Sequence, residues 1–426
     1  MSQGREQVDM SDENLRALFG WVTKAIERLP DPPRRWIKKE ILEMEEIMMD
    51  NRPPRILVLG RRGAGKSSLV NAFFGHRVAK VGSVLSETGE AKWHNVQYLE
   101  GSLDILDTRG LGDRTKPETA NFEEAIEDIK SAIENRCPDV ILFLCKAKEV
   151  DAHITQDLTN VSNIKAHISD TYSYEIPVVA VVTQVDELDP KRVEPPYEDP
   201  QKQKNISTAA NALKDAFSED VKIIPVSAYA EYSQDGAIGY DNYWNIDVLL
   251  DYLMDVLPNS AQLQLARLSA VKTIQRKLAL RVVKSTAAVG AGLASTPIPL
   301  ADAIPITSAQ LAMIIVIGHI AGKKLSKEYA KDFVIALGAN VGAALALREG
   351  ARALVKFVFP IGGHLISAGV AYAGTYAIGK AAIAYFIDEV SIEEVKNRFS
   401  KAKEEKADEY VEEDPLGSSA SNRFEC

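Results

Sequence analysis

The sequence predicts a doubly wound α/β domain with a mainly parallel sheet, flanked by an N-terminal helical arm and an α-helical, hydrophobic C-terminal domain. Between residues 55 and 257, short apolar runs alternate with longer helical stretches, as in parallel strands joined by crossover helices. Beyond residue 285 the chain becomes rich in Ala, Gly, Ile and Val, with few charges. The predicted strands are the apolar runs at 56–59, 103–106, 140–144, 178–182 and 221–226.

The chain divides into five predicted parts. Residues 1–52 form a helical arm, because apolar residues recur there at helical spacing on both sides of the break PDPP. The α/β domain spans 53–258, and a basic connector helix with an apolar stripe spans 259–284. A hydrophobic helical domain at 285–390 precedes a charged helix and disordered tail at 391–426.

Composition excludes several classes of protein. The net charge of -10 over 426 residues argues against a general nucleic-acid binder. Cys137, Cys145 and Cys426 are too few and too scattered for a disulfide framework or a metal site. The polar, acidic start MSQGREQVDMSDEN does not resemble a signal peptide, so we expect a reducing, cytoplasmic setting.

The stretch GRRGAGKSSLVNAFFG, at 60–75, follows the apolar run RILVL. Gly60, Gly65, Lys66 and Ser67 satisfy the spacing G-x-x-x-x-G-K-[ST], in which backbone N–H groups and a helix N-terminus surround a phosphate. Lys66 is then expected to reach the β- and γ-phosphate oxygens, and the Ser67 hydroxyl to ligate Mg²⁺. A strand before the motif and a helix after it favour this interpretation over a plain Gly-rich turn.

The second strand ends in DTRG, at 107–110. A carboxylate at Asp107 can hold Mg²⁺, usually through a water molecule, and the Gly110 N–H can contact the γ-phosphate. The alternative is that Asp107 is a turn residue at the end of a strand. The phosphate loop upstream favours the metal-binding role.

Two further strand ends predict guanine as the base. In TQVD, which follows VVAVV and begins at Thr183, Asp186 can accept hydrogen bonds from the N1–H and exocyclic amine of guanine, which adenine does not offer. Gln184 stands where lysine is usual, and it can lie on the base without bringing a positive charge. In VSAY, Ser227 precedes Ala228, whose N–H would contact the guanine oxygen.

With these motifs in order, residues 55–257 resemble a translation-factor-related (TRAFAC class) P-loop GTPase domain, nearest to the Era-like group. The phrases GKSSLVNAFFG, DTRGLGD and VLLDYLMDVLPNSAQ carry the resemblance. It implies binding of GTP and GDP with Mg²⁺. It also implies a switch threonine at Thr88 that closes on Mg²⁺ and the γ-phosphate, with Ser83 or Ser86 as alternatives. The residues expected to wrap the phosphates are Gly63, Ala64, Gly65, Lys66, Ser67 and Ser68.

The residue that activates the attacking water is not evident from the sequence. Ras-like proteins place a glutamine after the DxxG glycine, whereas this chain has Leu111, which cannot orient water. We therefore expect slow intrinsic hydrolysis and assign no catalytic residue. Arg62, Arg109 and Arg114 either stabilise transition-state charge in cis or are solvated loop arginines.

The C-terminal region, 285–387, is similar to an uncharacterised hydrophobic domain found in some Era-like bacterial GTPases, with STPIPLADAIPITSAQLAMIIVIGHIAGKKLS as the matching stretch. Of its apolar blocks at 303–322, 333–347 and 357–379, the third is long enough to span a bilayer core of about 30 Å. Either the blocks are packed helices of a bundle, or they dock on a membrane with the basic helix 264–284 facing anionic lipid.

The sequence therefore predicts a GTP-hydrolysing regulatory protein whose α/β domain switches a helical, membrane-linked domain. One alternative is a nucleotide-gated interaction module that assembles with copies of itself, such as a homodimer, with negligible hydrolysis. Another is an Era-like factor linked to RNA or the ribosome. The acidic charge, and the lack of a GxxG loop in a basic setting, count against the second alternative.

Overall fold

The computed structural model places most of the chain in two compact units. One comprises Asn51–Ile274, and the other comprises Met1–Asp50 with Gln275–Cys426. The five-part division of the sequence stays a prediction. The described residues are 16–17, 19–20, 22–24, 26–27, 31, 33–49, 51–78, 91–98, 101–107, 122–150, 154–269, 271–294, 304–323, 325–338, 368–396 and 399.

Strands and helices alternate along the 51–274 unit, and helices make up the other. The strands are β1 (Arg55–Gly60), β2 (Lys92–Tyr98), β3 (Gly101–Asp107), β4 (Val140–Lys146), β5 (Val178–Thr183), β6 (Lys222–Pro225), β7 (Ala230–Tyr232) and β8 (Ile238–Asp241). The helices are α1 (Pro33–Met49), α2 (Lys66–Phe74), α3 (Phe122–Glu134), α4 (Ile154–Tyr172), α5 (Pro200–Ala216), α6 (Ile246–Val256), α7 (Asn259–Leu268), α8 (Lys272–Ala294), α9 (Ile304–Ile320), α10 (Lys327–Gly338) and α11 (Ala368–Phe386).

The main sheet has six strands in the order β2-β3-β1-β4-β5-β6. Strand β1 pairs in parallel with β3 on one side and β4 on the other, and β5 and β6 continue the parallel pairing. Only β2, at the edge, runs antiparallel to its neighbour β3. The predicted doubly wound α/β fold with a mainly parallel sheet is confirmed.

The central strands β1 and β4 carry continuous apolar runs, as expected where helices cover both faces of a parallel sheet. In β1 the side chains from Ile56 to Leu59 are buried, and in β4 those from Val140 to Cys145 are buried. All five predicted apolar strands are present. The sequence did not predict β2, because an edge strand faces solvent and lacks a continuous apolar run. From Lys92 to Gln97 its residues are exposed or half-buried.

The strand order reverses beside β1, which lies between β3 and β4. In doubly wound sheets, ligands bind outside the carboxyl ends of the strands at such a reversal, because loops from the two halves diverge there and leave a crevice. The segments that follow β1, β4 and β5 all leave the sheet at this edge. The fold therefore collects the sequence motifs at one end of the molecule's α/β unit.

The helical unit has α9 at its centre. All described side chains from Ile306 to Ile320 are buried except Thr307, which is half-buried, so this helix is apolar on every side. Within this apolar interior, Gln310 Nε2 donates a hydrogen bond of 2.9 Å to Thr375 Oγ1 of α11. That hydrogen bond satisfies two buried polar groups and fixes the pairing of α9 with α11.

Among the described helices, none is both long enough and apolar enough to cross a bilayer. The first apolar block, 303–322, largely corresponds to α9, while 339–347 and 357–367 of the other blocks lie outside the described residues. Two cations of the predicted basic helix are paired inside the helical unit. Arg276 contacts Asp388 at 2.6 Å and Arg281 contacts Glu43 at 3.0 Å, which reduces the charge available to anionic lipid.

The contact between β3 and α7 makes a stability prediction. A Cβ on Gly101 would lie 2.4 Å from both N and Cα of Leu268, so Gly101→Ala must push the helix backbone away. We expect a loss of about 1–3 kcal/mol in the free energy of unfolding, measured by urea denaturation. Gly239→Ala is the matched control, because its nearest neighbour, Glu231 O, would lie 3.6 Å away. Equal unfolding midpoints for the two variants would contradict this packing.

Candidate nucleotide-binding site

The loop after β1 turns tightly into α2, and glycine is required at three of its positions. Gly63 and Gly65 have φ angles of 77° and 84°, in the left-handed region that favours glycine. A Cβ on Gly60 would lie 2.7 Å from the carbonyl oxygen of Leu144 in β4. Helix α2 begins at Lys66, directly after the loop, so the free N–H groups of its first turn face the ligand position of a phosphate loop.

The carbonyl groups of this loop are paired with side chains. Lys66 Nζ donates to Gly60 O at 3.0 Å and to Arg61 O at 3.4 Å. Gln184 Nε2 donates to Gly63 O at 2.7 Å, and Thr183 Oγ1 donates to Ala64 O at 2.9 Å. With their carbonyls turned to these donors, the loop amides can converge on an anion. Ser67 and Ser68 lie half-buried in the first turn of α2.

The two arginines of the loop, Arg61 and Arg62, differ in their contacts. Arg61 Nε lies 2.8 Å from Oδ2 of Asp157, a buried carboxylate in the first turn of α4, and Arg61 Nη2 lies 3.2 Å from Oδ1. This bidentate ion pair raises the pKa of the Arg61 guanidinium and anchors the loop to α4. Arg62 is exposed. Arg109, Leu111 and Arg114 lie outside the described residues.

The residues at the end of β5 contact both the phosphate loop and the neighbouring strand β4. Thr183 is buried, and its hydroxyl also lies 3.3 Å from Cys145 O of β4, so one side chain bridges the strand ends and the loop. Gln184 adopts a left-handed conformation with φ 58°, which turns the chain sharply into the short 3₁₀ turn Val185–Glu187. The sequence predicted that Gln184 lies on the base. The structure shows its side chain in contact with the phosphate loop, and its contact with a base stays a prediction.

Asp186 and Ser227 are brought together from separate strand ends. Ser227 Oγ donates a hydrogen bond of 3.1 Å to Asp186 Oδ1. Ser227 is fully buried and is itself fixed by two backbone hydrogen bonds with Trp244, of 3.1 and 3.0 Å. Asp186 Oδ2 accepts no hydrogen bond from the described part of the chain. One carboxylate oxygen of Asp186 is therefore held by the protein, and Ala228 follows Ser227 directly in the chain.

The predicted metal ligands are only partly described. Asp107 ends β3, and the parallel register pairs it with Val58 of β1, which places it at the same end of the sheet as the phosphate loop. Its side chain, Thr88 and Gly110 lie outside what the structure describes. Ser67 is the one predicted ligand whose surroundings are described, and its place at the start of α2 fits a Mg²⁺ ligand beside a bound phosphate.

Sequence reasoning missed three charged residues of this region. Lys146 ends β4, where a Cβ on Gly63 would lie 3.4 Å from its Nζ, and its ammonium pairs with Glu149 at 2.8 Å. A lysine at the carboxyl end of a buried parallel strand was a usable signal in the sequence. The sequence gives no comparable signal for Asp157 or for the buried Lys202 of α5. Both lie within helices, where the sequence alone does not show that a charged side chain is buried or which group it contacts.

The Thr183 bridge predicts a defect in both stability and binding. Thr183→Val keeps the shape but leaves the Ala64 carbonyl without this donor, so we expect a loss of about 1–3 kcal/mol in the free energy of unfolding and weaker GDP binding. Denaturation and a GDP titration would measure the two effects. Thr183→Ser, which keeps the hydroxyl, is the control. Wild-type midpoint and affinity in the valine variant would show that the bridge does not hold the loop.

Comparison with known proteins finds similarity to GTPases over part of the α/β unit. Residues 55–184 match the family described as 50S ribosome-binding GTPase. The uncharacterized protein YkfA of Escherichia coli (strain K12) is 25% identical over 240 residues, covering 55% of this chain and 71% of that protein. GTPase Der of Aquifex aeolicus is 30% identical over 141 residues, which is 32% of this chain and 28% of Der.

A solved structure, that of Era in complex with MgGDPNP and nucleotides 1506-1542 of 16S ribosomal RNA, aligns with a TM-score of 0.33 and 20% identity, covering 56% of this chain and 67% of that one. The family match spans the phosphate loop and ends at Gln184, and therefore covers the part of the site that surrounds the phosphates. Residues 55–184 of this chain are therefore similar to that family's GTPase domain, and the mainly parallel six-stranded sheet has the P-loop GTPase fold.

Proposed function

We propose that this protein binds GTP and GDP with Mg²⁺ and hydrolyses GTP to GDP and phosphate, acting as a nucleotide-dependent switch. The observation that carries the proposal is that one short segment, 183–186, both contacts the phosphate loop and carries the carboxylate proposed to bind the base. Thr183 and Gln184 bond the phosphate loop, and Asp186, two residues on, has a carboxylate oxygen available for a base. A nucleotide spans these two points with its phosphates at one end and its base at the other.

The phosphate end supplies amides, a helix N-terminus and a cation. The amides of Gly63 to Ser68 and the Lys66 ammonium are the proposed phosphate contacts, with the Gly110 N–H at the γ-phosphate. Ser67, Thr88 and Asp107 are the proposed holders of Mg²⁺. When bound, the ion neutralises developing charge on the β- and γ-phosphate oxygens.

The base end selects guanine. Asp186 accepts hydrogen bonds from the N1–H and the exocyclic amine, and the Ala228 N–H donates to the guanine oxygen. The Ser227 hydroxyl holds the Asp186 carboxylate in place at 3.1 Å. An adenine base presents a bare N1 and no amine at this edge, so the carboxylate repels it.

Hydrolysis is proposed to be slow without a partner, because Leu111 replaces a water-orienting glutamine. Arg61 is committed to Asp157, which supports a structural role for it over a catalytic one. We propose membership of the Era-like group on the motifs GKSSLVNAFFG and DTRGLGD. An RNA- or ribosome-linked role remains the alternative that the family description raises, and co-sedimentation with ribosomes tests it.

The helical unit is the proposed target of the switch. Its apolar composition supports membrane association in one nucleotide state, for a protein located in the cytoplasm. Burial of α9 and the internal ion pairs of Arg276 and Arg281 favour a packed state in which this surface is covered. Self-assembly, including a homodimer, is the second proposed readout of GTP binding.

The guanine assignment predicts a change of base preference. Asp186→Asn replaces one acceptor by a donor, so the variant should prefer xanthine, which carries an oxygen where guanine carries the amine. We expect the preference for GDP over XDP to fall at least about tenfold in competition binding, since a hydrogen bond to a charged group contributes roughly 1.5–3 kcal/mol. Asp215→Asn, at an exposed carboxylate near the end of α5, is the matched control, and Lys66→Ala should lose both nucleotides. Unchanged guanine selectivity would overturn the assignment.

The switch proposal predicts nucleotide-dependent flotation. Protein mixed with vesicles containing anionic lipid should float to a greater extent with a non-hydrolysable GTP analogue than with GDP, because the active state exposes the apolar surface. Lys66→Ala, which cannot respond to nucleotide, should show no difference between the two conditions. Protein that stays at the bottom of the gradient in both states would contradict membrane association.

A further inference from the structure

Lys202, in the first turn of α5, is a buried lysine whose ammonium ends on backbone carbonyls. Its exposed fraction is 0%. Nζ donates hydrogen bonds to Asp186 O at 2.9 Å and to Leu188 O at 2.6 Å. The helix start itself is fixed, because the Asp199 side chain caps it by accepting from the Lys202 N–H at 2.8 Å. Lys202 therefore connects a rigid helix end to the turn that carries the base-reading carboxylate.

Burying this charge is costly, so a specific gain is needed to explain it. Burial lowers the pKa of the Lys202 ammonium, and the nearby carboxylates of Asp186 and Asp189 oppose that change. The Tyr197 ring lies 4.9 Å from Nζ and contributes a cation–π contact. A methionine would fill a similar volume at no electrostatic cost, but it would leave the two carbonyl groups unsatisfied.

The same side chains form a closed frame around Asp186. The Tyr197 ring packs on Trp244 with centroids 5.2 Å apart. Trp244 is hydrogen-bonded through its backbone to Ser227, whose hydroxyl holds Asp186 Oδ1. Lys202 thus fixes the main chain of Asp186 from one side, while Ser227 fixes its carboxylate from the other. The direction of Oδ2 follows from both constraints together.

We propose that Lys202 is a positioning residue for guanine recognition, which sets the 185–188 turn so that Asp186 Oδ2 meets the base edge. This inference rests on the proposed function. It also explains how the site could bind guanine with Gln184 at the position where lysine is usual. A fixed orientation of the Asp186 carboxylate strengthens its hydrogen bonds to the base. This offsets the absence of a lysine side chain at position 184.

A purely structural role for Lys202 makes a different prediction. A loosened helix end would weaken binding of every nucleotide equally. A misoriented Asp186 carboxylate would instead weaken binding only of nucleotides whose base donates a second hydrogen bond to it, from the exocyclic amine. Hypoxanthine differs from guanine by lacking the exocyclic amine, so the ratio of IDP to GDP dissociation constants reports the aim of the carboxylate.

The test measures GDP and IDP binding by the full-length chain. For Lys202→Met, we expect the preference for GDP over IDP to fall about tenfold, the share of one charge-assisted hydrogen bond, with a much smaller change for IDP alone. Lys204→Met, an exposed lysine on the same helix, is the control and should keep the wild-type ratio. An unchanged ratio in Lys202→Met, or equal weakening of both nucleotides, would overturn the proposal.

A second pair of variants covers the case in which Lys202→Met does not fold. Tyr197→Leu removes the ring beneath the ammonium and should lower the same ratio, whereas Tyr197→Phe keeps the ring and should not. Equal ratios in these two variants would also count against the frame. If the wild-type chain itself shows no preference for GDP over IDP, the proposed function fails as well. If the wild-type chain prefers GDP over IDP and every variant keeps that preference, only the proposed role of Lys202 is overturned.

Discussion

The site depends on a constraint of the phosphate loop: amides that converge on an anion leave carbonyls that point away from it. Gly60 and Ala64 are buried, so their carbonyls need donors from the protein. Lys66 pairs those of Gly60 and Arg61, Gln184 pairs that of Gly63, and Thr183 pairs that of Ala64. Because two of these donors come from the end of β5, the phosphate loop is tied to the turn that carries Asp186.

Two charged side chains near the site, Arg61 and Lys202, hold the phosphate loop and the 185–188 turn in position. Arg61 and Asp157 form a bidentate pair in which the carboxylate is almost fully buried, and Lys202 spends its charge on two carbonyls. Breaking such pairs is costly because the remaining partner stays buried without compensation. The cations nearest the site therefore act on the position of ligand-binding groups. The proposed chemistry is left to the loop amides, Lys66 and Mg²⁺.

The helical unit shows why apolar composition alone is ambiguous. A helix that is hydrophobic on every side fits either a lipid environment or the centre of a bundle. In the described residues α9 is buried by its neighbours, and Gln310 and Thr375 satisfy each other inside that core. The basic residues Arg276 and Arg281 find carboxylate partners in the same unit. A proposed membrane-linked state therefore requires these contacts to change.

The sequence by itself determined the parallel sheet and the order of its motifs, because buried strands and phosphate loops have local signatures: continuous apolar runs, and glycines at fixed spacing. It missed β2, since an edge strand facing solvent has no such run. Only the tertiary structure decided the partners of Arg61, Gln184 and Lys202. Each partner is a carboxylate or carbonyl brought near by folding, and a side chain's hydrogen-bond partner depends on distances across the fold, which spacing along the chain does not contain.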